Sequence, residues 1–346
     1  MPQFRTGPIV QIIAERDGLQ RVLVRIDGVD QRAYNLPALT GAVSVGDEVV
    51  CNTTAVSLGL GTGGWHVVHW NLSRRTLDQP GGGHIMKVRY TSLQADTGAA
   101  EERHPDLPQR IDGVPVVVCS LHSQLASVAA AFAATVPGGR LVYVMTDGAA
   151  LPVALSDLVV DLRDRGLITG VVSAGHAFGG DEEAVNIVSA LCIAVHVLRA
   201  DAVVVAMGPG VVGTATLLGT TAYEVVGGVA DVSAVGGHPV LCLRAGGADG
   251  RERHQGISHH SRTALAHAVG GAIVGVPRSW VALAEGIGPP HDVRIVETGD
   301  VATLLAASGV RVTTMGRSPN EDPMPFAFAA AAGTVAGQLV LGNPRS

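Results

Sequence analysis

The sequence predicts an α/β protein: a doubly wound, mostly parallel, Rossmann-like sheet preceded by a small antiparallel β-barrel or sandwich. Three observations predict it. From about residue 113 onward, unalternating β-branched runs such as Val116-Val117-Val118 and Val203-Val204-Val205 recur between helix-length stretches. Parallel strands covered on both faces have that pattern. Before residue 95 the apolar residues alternate instead, as Val22, Val24 and Ile26 do, which suits strands with one buried face. Third, 45 of the 346 residues are glycine and 47% are hydrophobic, while aromatics are 3% and charged residues 16%. Disordered chains are polar and highly charged, so this composition describes a large core punctuated by turns. The expected organisation is an all-β domain over 1–95, a linker over 96–112 and an α/β domain over 113–346.

The elements follow in order. Residues 8–16 and 20–27 read as two strands around the Asp17-Gly18 turn. Val45-Gly46-Asp47-Glu48-Val49-Val50 is a turn running into a strand, and 64–71 and 84–90 supply further strands. The α/β part alternates. Strands are expected at 114–120, 141–146, 168–174, 202–207, 239–244, 272–276, 293–296 and 310–314. Helices are expected at 122–135, 151–165, 183–198 and 214–235. The alanine-rich helix at 325–338 is expected to pack against the sheet or another subunit, with a homodimer as the simplest closed assembly.

Composition also excludes classes. Lys87 is the single lysine, the net charge is −6, and no basic run occurs, which argues against nucleic-acid binding. The mean hydropathy is +0.32. Three charge-free stretches, 113–139, 202–223 and 323–344, exceed the roughly 20 residues of a membrane span. Each is broken by turn residues or polar groups, Gly208-Pro209-Gly210 in the second and Pro325, Gly333 and Gln338 in the third. No membrane partner is expected. Met1-Pro2-Gln3-Phe4-Arg5 lacks a hydrophobic leader, which points to the cytoplasm. Cys51, Cys119, Cys192 and Cys242 form no C-x-x-C pair and read as buried reduced thiols, with Cys119 as the alternative nucleophile.

In an open parallel sheet, ligands bind beyond the carboxyl ends of the strands. Polar residues concentrate there in this chain. Gly208-Pro209-Gly210-Val211-Val212-Gly213-Thr214 has dinucleotide spacing after an apolar strand. Gly208, Gly210, Gly213 and Thr214 would let backbone approach a nucleotide or phosphate at a helix N-terminus. Pro209 removes a donor, and the next strand ends at Arg244, not at an acid; Arg244 could accept a 2′-phosphate. Tight strand–helix packing explains the same glycines. Ser258-His259-His260-Ser261 opens a helix with Ser258 as N-cap, where the dipole disfavours imidazolium. His176, His254 and His259 could share a divalent metal. Alternatively His176, His259 and His260 are acid or base groups oriented by Asp147 or Asp181. Capping and packing remain the plain alternative.

Thr146-Asp147-Gly148-Ala149-Ala150-Leu151-Pro152, Gly175-His176-Ala177-Phe178-Gly179-Gly180-Asp181 with Glu183-Ala184-Val185-Asn186, Gly208–Gly213 and Gly256-Ile257-Ser258-His259-His260-Ser261 resemble a bacterial domain-of-unknown-function family. The resemblance covers most of the chain and implies no activity. The arginine- and alanine-rich composition points to a high-GC, actinobacterial source. Two functions fit. One is an enzyme acting on a small anionic or phosphorylated metabolite at the sheet edge, by His/Asp acid–base or metal-assisted chemistry. The other is a ligand-sensing or scaffolding protein whose β domain contacts a partner.

Overall fold

Asp27 and Gly28 both adopt left-handed backbone, with φ of 51° and 79°. That is the conformation a two-residue hairpin turn needs. It joins strand β2 (Leu19–Ile26) to β3 (Val29–Asn35). With β1 (Phe4–Arg16), β4 (Glu48–Asn52) and β5 (His66–Asn71), these close a five-stranded barrel in the order β1-β2-β3-β5-β4. All its pairings are antiparallel except β3 with β5. The alternation seen in the sequence places Val22, Val24, Ile26 and Ala33 in the barrel core. The expected strand at 84–90 shrinks to Met86–Lys87, paired with Ala95–Asp96 outside the barrel.

This computed structural model describes residues 1–342. Residues 343–346, the tail of the expected α/β domain and of the charge-free 323–344 stretch, lie outside it. The chain divides into two units, 1–98 and 99–346. The segment expected as a linker is packed at both ends: Ala95–Asp96 is a strand of the first unit, while Ala99, Ala100 and Ile111 are buried in the second.

The second unit is built on eight parallel strands. They are β6 (Pro115–Cys119), β7 (Leu141–Thr146), β8 (Gly170–Ala174), β9 (Glu182–Ala184), β10 (Ala202–Met207), β11 (His238–Cys242), β12 (Ile273–Pro277) and β13 (Asp292–Val296). Their order in the sheet is β9-β8-β7-β10-β6-β11-β12-β13. One face carries α1 (Gln124–Thr135), α2 (Asp157–Asp164), α6 (Val301–Ser308) and α7 (Met324–Gly342). The other carries α3 (Ile187–His196), α4 (Val225–Ala234) and α5 (His259–His267).

Helix α7 is long and apolar enough to cross a membrane by length and composition. Most of it is buried: it packs against both the sheet and its neighbour α1, and its alanines and glycines permit close approach. A Cβ on Gly333 would lie 2.3 Å from the Val128 carbonyl oxygen, and one on Gly275 of β12 would lie 2.8 Å from Ala331 backbone atoms.

Four further expectations change. The helix expected over 151–165 is a 3-10 turn at Val153–Leu155 followed by α2. The helix expected over 214–235 starts only at Val225. Residues 213–220 form a loop closed by the Gly213–Thr220 bridge, and Thr220 caps a 3-10 turn at Thr221–Glu224. The expected helix over 183–198 is strand β9 followed by α3, whose N-cap Asn186 accepts from the Ser189 N–H. The expected strand over 310–314 does not pair with the sheet; Thr314 bridges only to Arg317.

Candidate functional site: a cationic pit at a strand-order reversal

Strand β6 leads to α1 on one face of the sheet, and its neighbour β11 leads to α5 on the other. Opposite exits leave a crevice beyond the two strand ends, the place where such sheets bind ligands. The crevice contains a narrow pit of about 20 Å³. Its polar lining is Ser123, Gln124, Ser127, Arg244, Asp249, His254, Thr314 and Arg317.

Each group is held by local structure. Gln124 ties the two strand ends together. Its side-chain oxygen accepts from the Ser120 and Leu121 N–H groups at 3.0 Å, and its Nε2 donates to the Leu243 carbonyl at 3.1 Å. Arg244 follows β11 and is fixed to the start of α5: its N–H donates to Ser261 Oγ at 2.7 Å. Ser258 caps α5 as the sequence predicts, accepting from the His260 N–H and sharing a 2.8 Å hydrogen bond with His254 Nδ1. The cap gathers His254, His259 and His260, whose ring centroids lie 4.1–5.2 Å apart.

The electrostatics are unbalanced. Asp249 is held bidentately by Arg251, with both contacts at 2.9 Å, and Arg251 holds its carboxyl well below the usual range. Arg317 reaches both Asp249 and Asp322, at 3.7 and 3.4 Å. The buried Asp322 also accepts from the Gly247 and Ala248 N–H groups. Arg244 is 8% exposed and, among the described residues, has no carboxylate partner. Its one side-chain hydrogen bond runs from Nη1 to His260 Nδ1 at 3.4 Å. Burial and Arg251 therefore push its pKa down. Ser127 is fully buried, and its hydroxyl has no partner. A buried donor without an acceptor costs about 1–3 kcal/mol, and a charged one more.

The other residues singled out from the sequence lie away from the pit. His176 follows β8, four strand spacings from β11, roughly 19 Å at ~4.8 Å per strand. It cannot share a metal with His254 and His259. Among the described residues, no group of three His, Cys, Asp or Glu side chains is placed to hold a metal ion. The His176 N–H donates to Asp147 Oδ2 at 3.0 Å. Asp181 lies beside Val171 near the start of β8, away from the carboxyl edge where the sequence placed it; it pairs with Arg163 at 2.5 Å and accepts from the Val171 N–H, so it holds the outermost strand in place. Gly208 serves packing: a Cβ there would lie 2.3 Å from the Ala150 carbonyl oxygen. Gly210 has φ of 109°, but Gly213 and Thr214 open a loop, not a helix, so the phosphate cradle expected at a helix N-terminus is not formed. Cys119 is buried and its thiol pKa is pushed well up, which removes it as a nucleophile.

Sequence reasoning passed over Ser127. Its signal was a lone hydroxyl within the apolar run Leu125-Ala126-Ser127-Val128-Ala129. It also passed over Ser156, which caps α2 through the Val159 N–H and bonds His122 Nε2 at 2.7 Å. The other His122 nitrogen faces the Met207 carbonyl at 3.2 Å, and burial lowers its pKa to about 4. Ser156→Ala removes the cap and leaves a buried imidazole nitrogen unpaired. It is expected to cost about 2–4 kcal/mol, read as a drop of about 5–10 °C in thermal melting.

A family model described as a protein of unknown function (DUF3866) matches residues 32–333. The chain belongs to that family. No curated protein matches it. The DUF3866 match runs from Arg32 in β3 to Gly333 in α7, so it spans parts of both units and every residue lining the pit.

Proposed function

We propose that this protein binds a small anionic metabolite, with the charged group seated in the pit between the ends of β6 and β11. One observation carries this: Arg244 is a buried guanidinium with no carboxylate partner, at the sheet's strand-order reversal. An anion there would complete the charge balance that Asp249 and Asp322, engaged by Arg251 and Arg317, leave open. The neutral imidazole of His254 and the hydroxyls of Ser123 and Thr314 supply further polar contacts. The test is thermal melting with phosphate, sulfate and acetate against chloride at fixed ionic strength. At least one oxyanion should stabilise the wild type, because a ligand that binds only the native state raises its stability. No stabilisation by any oxyanion overturns the proposal.

The histidines add a pH dependence. Burial first, then nearby Arg244 and Arg251, lowers the His254 pKa to about 4; burial, His259 and Arg244 do the same for His260. Arg253 also faces the cluster, and Asp249 is its nearby carboxylate. Both folded values lie below the ordinary 6.5, so the unfolded chain binds more protons between about pH 4 and 6.5. Stability from these groups therefore rises with pH across that window and is level above it, by at most about 1.4 kcal/mol per pH unit for each group. His122 acts in the same direction. Glu224, raised to about 7 mainly by burial, acts oppositely between its ordinary 4.5 and 7. The comparison that isolates the cluster is wild type against His260→Gln in denaturant melts at pH 5 and 7.5. The variant should lose less stability on acidification. Oxyanion binding to the wild type should tighten as the pH falls through the same window.

A further inference from the structure

We infer that the anionic group is a carboxylate and that the ligand is a small organic acid whose carbon skeleton lies in the groove beside the pit. This rests on the pit being the anion site, as proposed above. Size is the first argument. A cavity of about 20 Å³ accepts one or two water-sized groups. The two oxygens of a carboxylate match that room; the three terminal oxygens of a phosphate exceed it.

Donor geometry is the second argument. Phosphate sites commonly use several free backbone N–H groups at a helix N-terminus or glycine loop. Here four of the N–H groups around the entry to α1 are already used. Those of Ser120 and Leu121 donate to the Gln124 side chain, that of Gln124 to the Leu121 carbonyl, and that of Leu125 to the His122 carbonyl. The side chains lining the pit add the guanidiniums of Arg244 and Arg317 and the hydroxyls of Ser123, Ser127 and Thr314, with the Asp249 carboxylate, already engaged by Arg251, beside them. Arg244 can hold a carboxylate edge-on through two parallel N–H donors. Ser127 Oγ, fully buried and without a partner, can donate to the same group.

The third argument is continuity. The pit shares Leu121, Ser123, Thr314 and Met315 with a groove of about 530 Å³. That volume is in the range of small-ligand sites. Leu158 and Val211 contribute apolar surface to the groove. A carboxylate in the pit thus has an exit for an aliphatic chain of several carbons, and a bare inorganic anion leaves the groove empty.

The experiment compares four probes on the full chain at constant ionic strength: acetate, hexanoate, inorganic phosphate and hexylphosphonate. Calorimetry or thermal shift should show hexanoate binding about tenfold or more tighter than acetate, since each buried methylene contributes up to about 0.8 kcal/mol. Phosphate and hexylphosphonate should bind no better than chloride. Ser127→Ala removes a hydroxyl that has no partner in the protein, so the variant should fold as the wild type does. It should lower hexanoate affinity about tenfold, the worth of one hydrogen bond to a charged group. Phosphate or hexylphosphonate stabilising as well as hexanoate would overturn the carboxylate assignment while leaving the anion site standing. Hexanoate binding unchanged in Ser127→Ala would also overturn it. If no oxyanion of either class binds, the anion site itself falls.

Discussion

Arg244→Met is expected to raise the melting temperature of the ligand-free protein and to abolish its stabilisation by oxyanions. The stem of methionine replaces most of the arginine's apolar volume. What is lost is a charge that is 8% exposed and has one long hydrogen bond to His260. Replacing buried charges with apolar groups of similar shape is often stabilising by about 1–4 kcal/mol, and here no carboxylate pairs directly with the charge, Asp249 acting on it only from a distance. A gain of about 1–3 kcal/mol corresponds to roughly 3–9 °C for a unit of this size. A purely structural arginine gives the opposite result, a loss of stability on replacement. The paired outcome of higher stability and lost binding is the mark of a residue kept for a ligand at the expense of the apo state.

Gly333→Val is expected to have the largest effect on folding. The added Cβ would meet the carbonyl oxygen of Val128 at 2.3 Å and two further backbone atoms of that residue at 3.0 Å. Backbone within α1 cannot turn aside as a side chain can, so α7 must move away from α1 and from β12. Overpacking of a rigid interior costs about 1–3 kcal/mol, and more where the obstacle is backbone. A loss of at least about 3 kcal/mol, or about 6–12 °C in thermal melting, is the expected result. Gly227 in α4 is the control. Nothing lies within 4 Å of a Cβ there, so Gly227→Ala should be neutral or stabilising by up to about 1 kcal/mol through helix propensity. Equal effects at the two positions would mean that α7 is not packed as closely as described.

Much of the fold was legible because burial on both faces leaves a mark in composition. Val116-Val117-Val118, Leu141-Val142-Tyr143-Val144 and Ala202-Val203-Val204-Val205 are strands in the structure as in the sequence. β3 was not legible. Its Val29-Asp30-Gln31-Arg32-Ala33-Tyr34-Asn35 is mostly polar, since barrel closure, not apolar content, pairs it with β2 and β5. The Asp27-Gly28 turn was its only local signal. The helix expected after Gly213 failed for a similar reason. Gly219-Thr220-Thr221 contains the cap that starts the 3-10 turn, and the strand has already ended at Met207, thirteen residues before Thr220. The glycine spacing suggested continuity that the threonines interrupt.

By itself the sequence determined the two-part architecture, the parallel sheet, the capped helix at Ser258, and the gathering of polar residues at strand ends. These follow from local periodicity, capping chemistry and burial, each of which acts over a few neighbouring residues. The tertiary structure alone decided which of those strand ends are neighbours. Strand order placed Arg244 and the His254–His260 cluster beside Ser127 and Arg317, and it put His176 four strands away and Asp181 beside the outermost strand, five away. The physical reason is that strand pairing is set by packing of whole layers across the sheet. A single strand's residues carry its burial, but they do not encode the identity of the strand beside it.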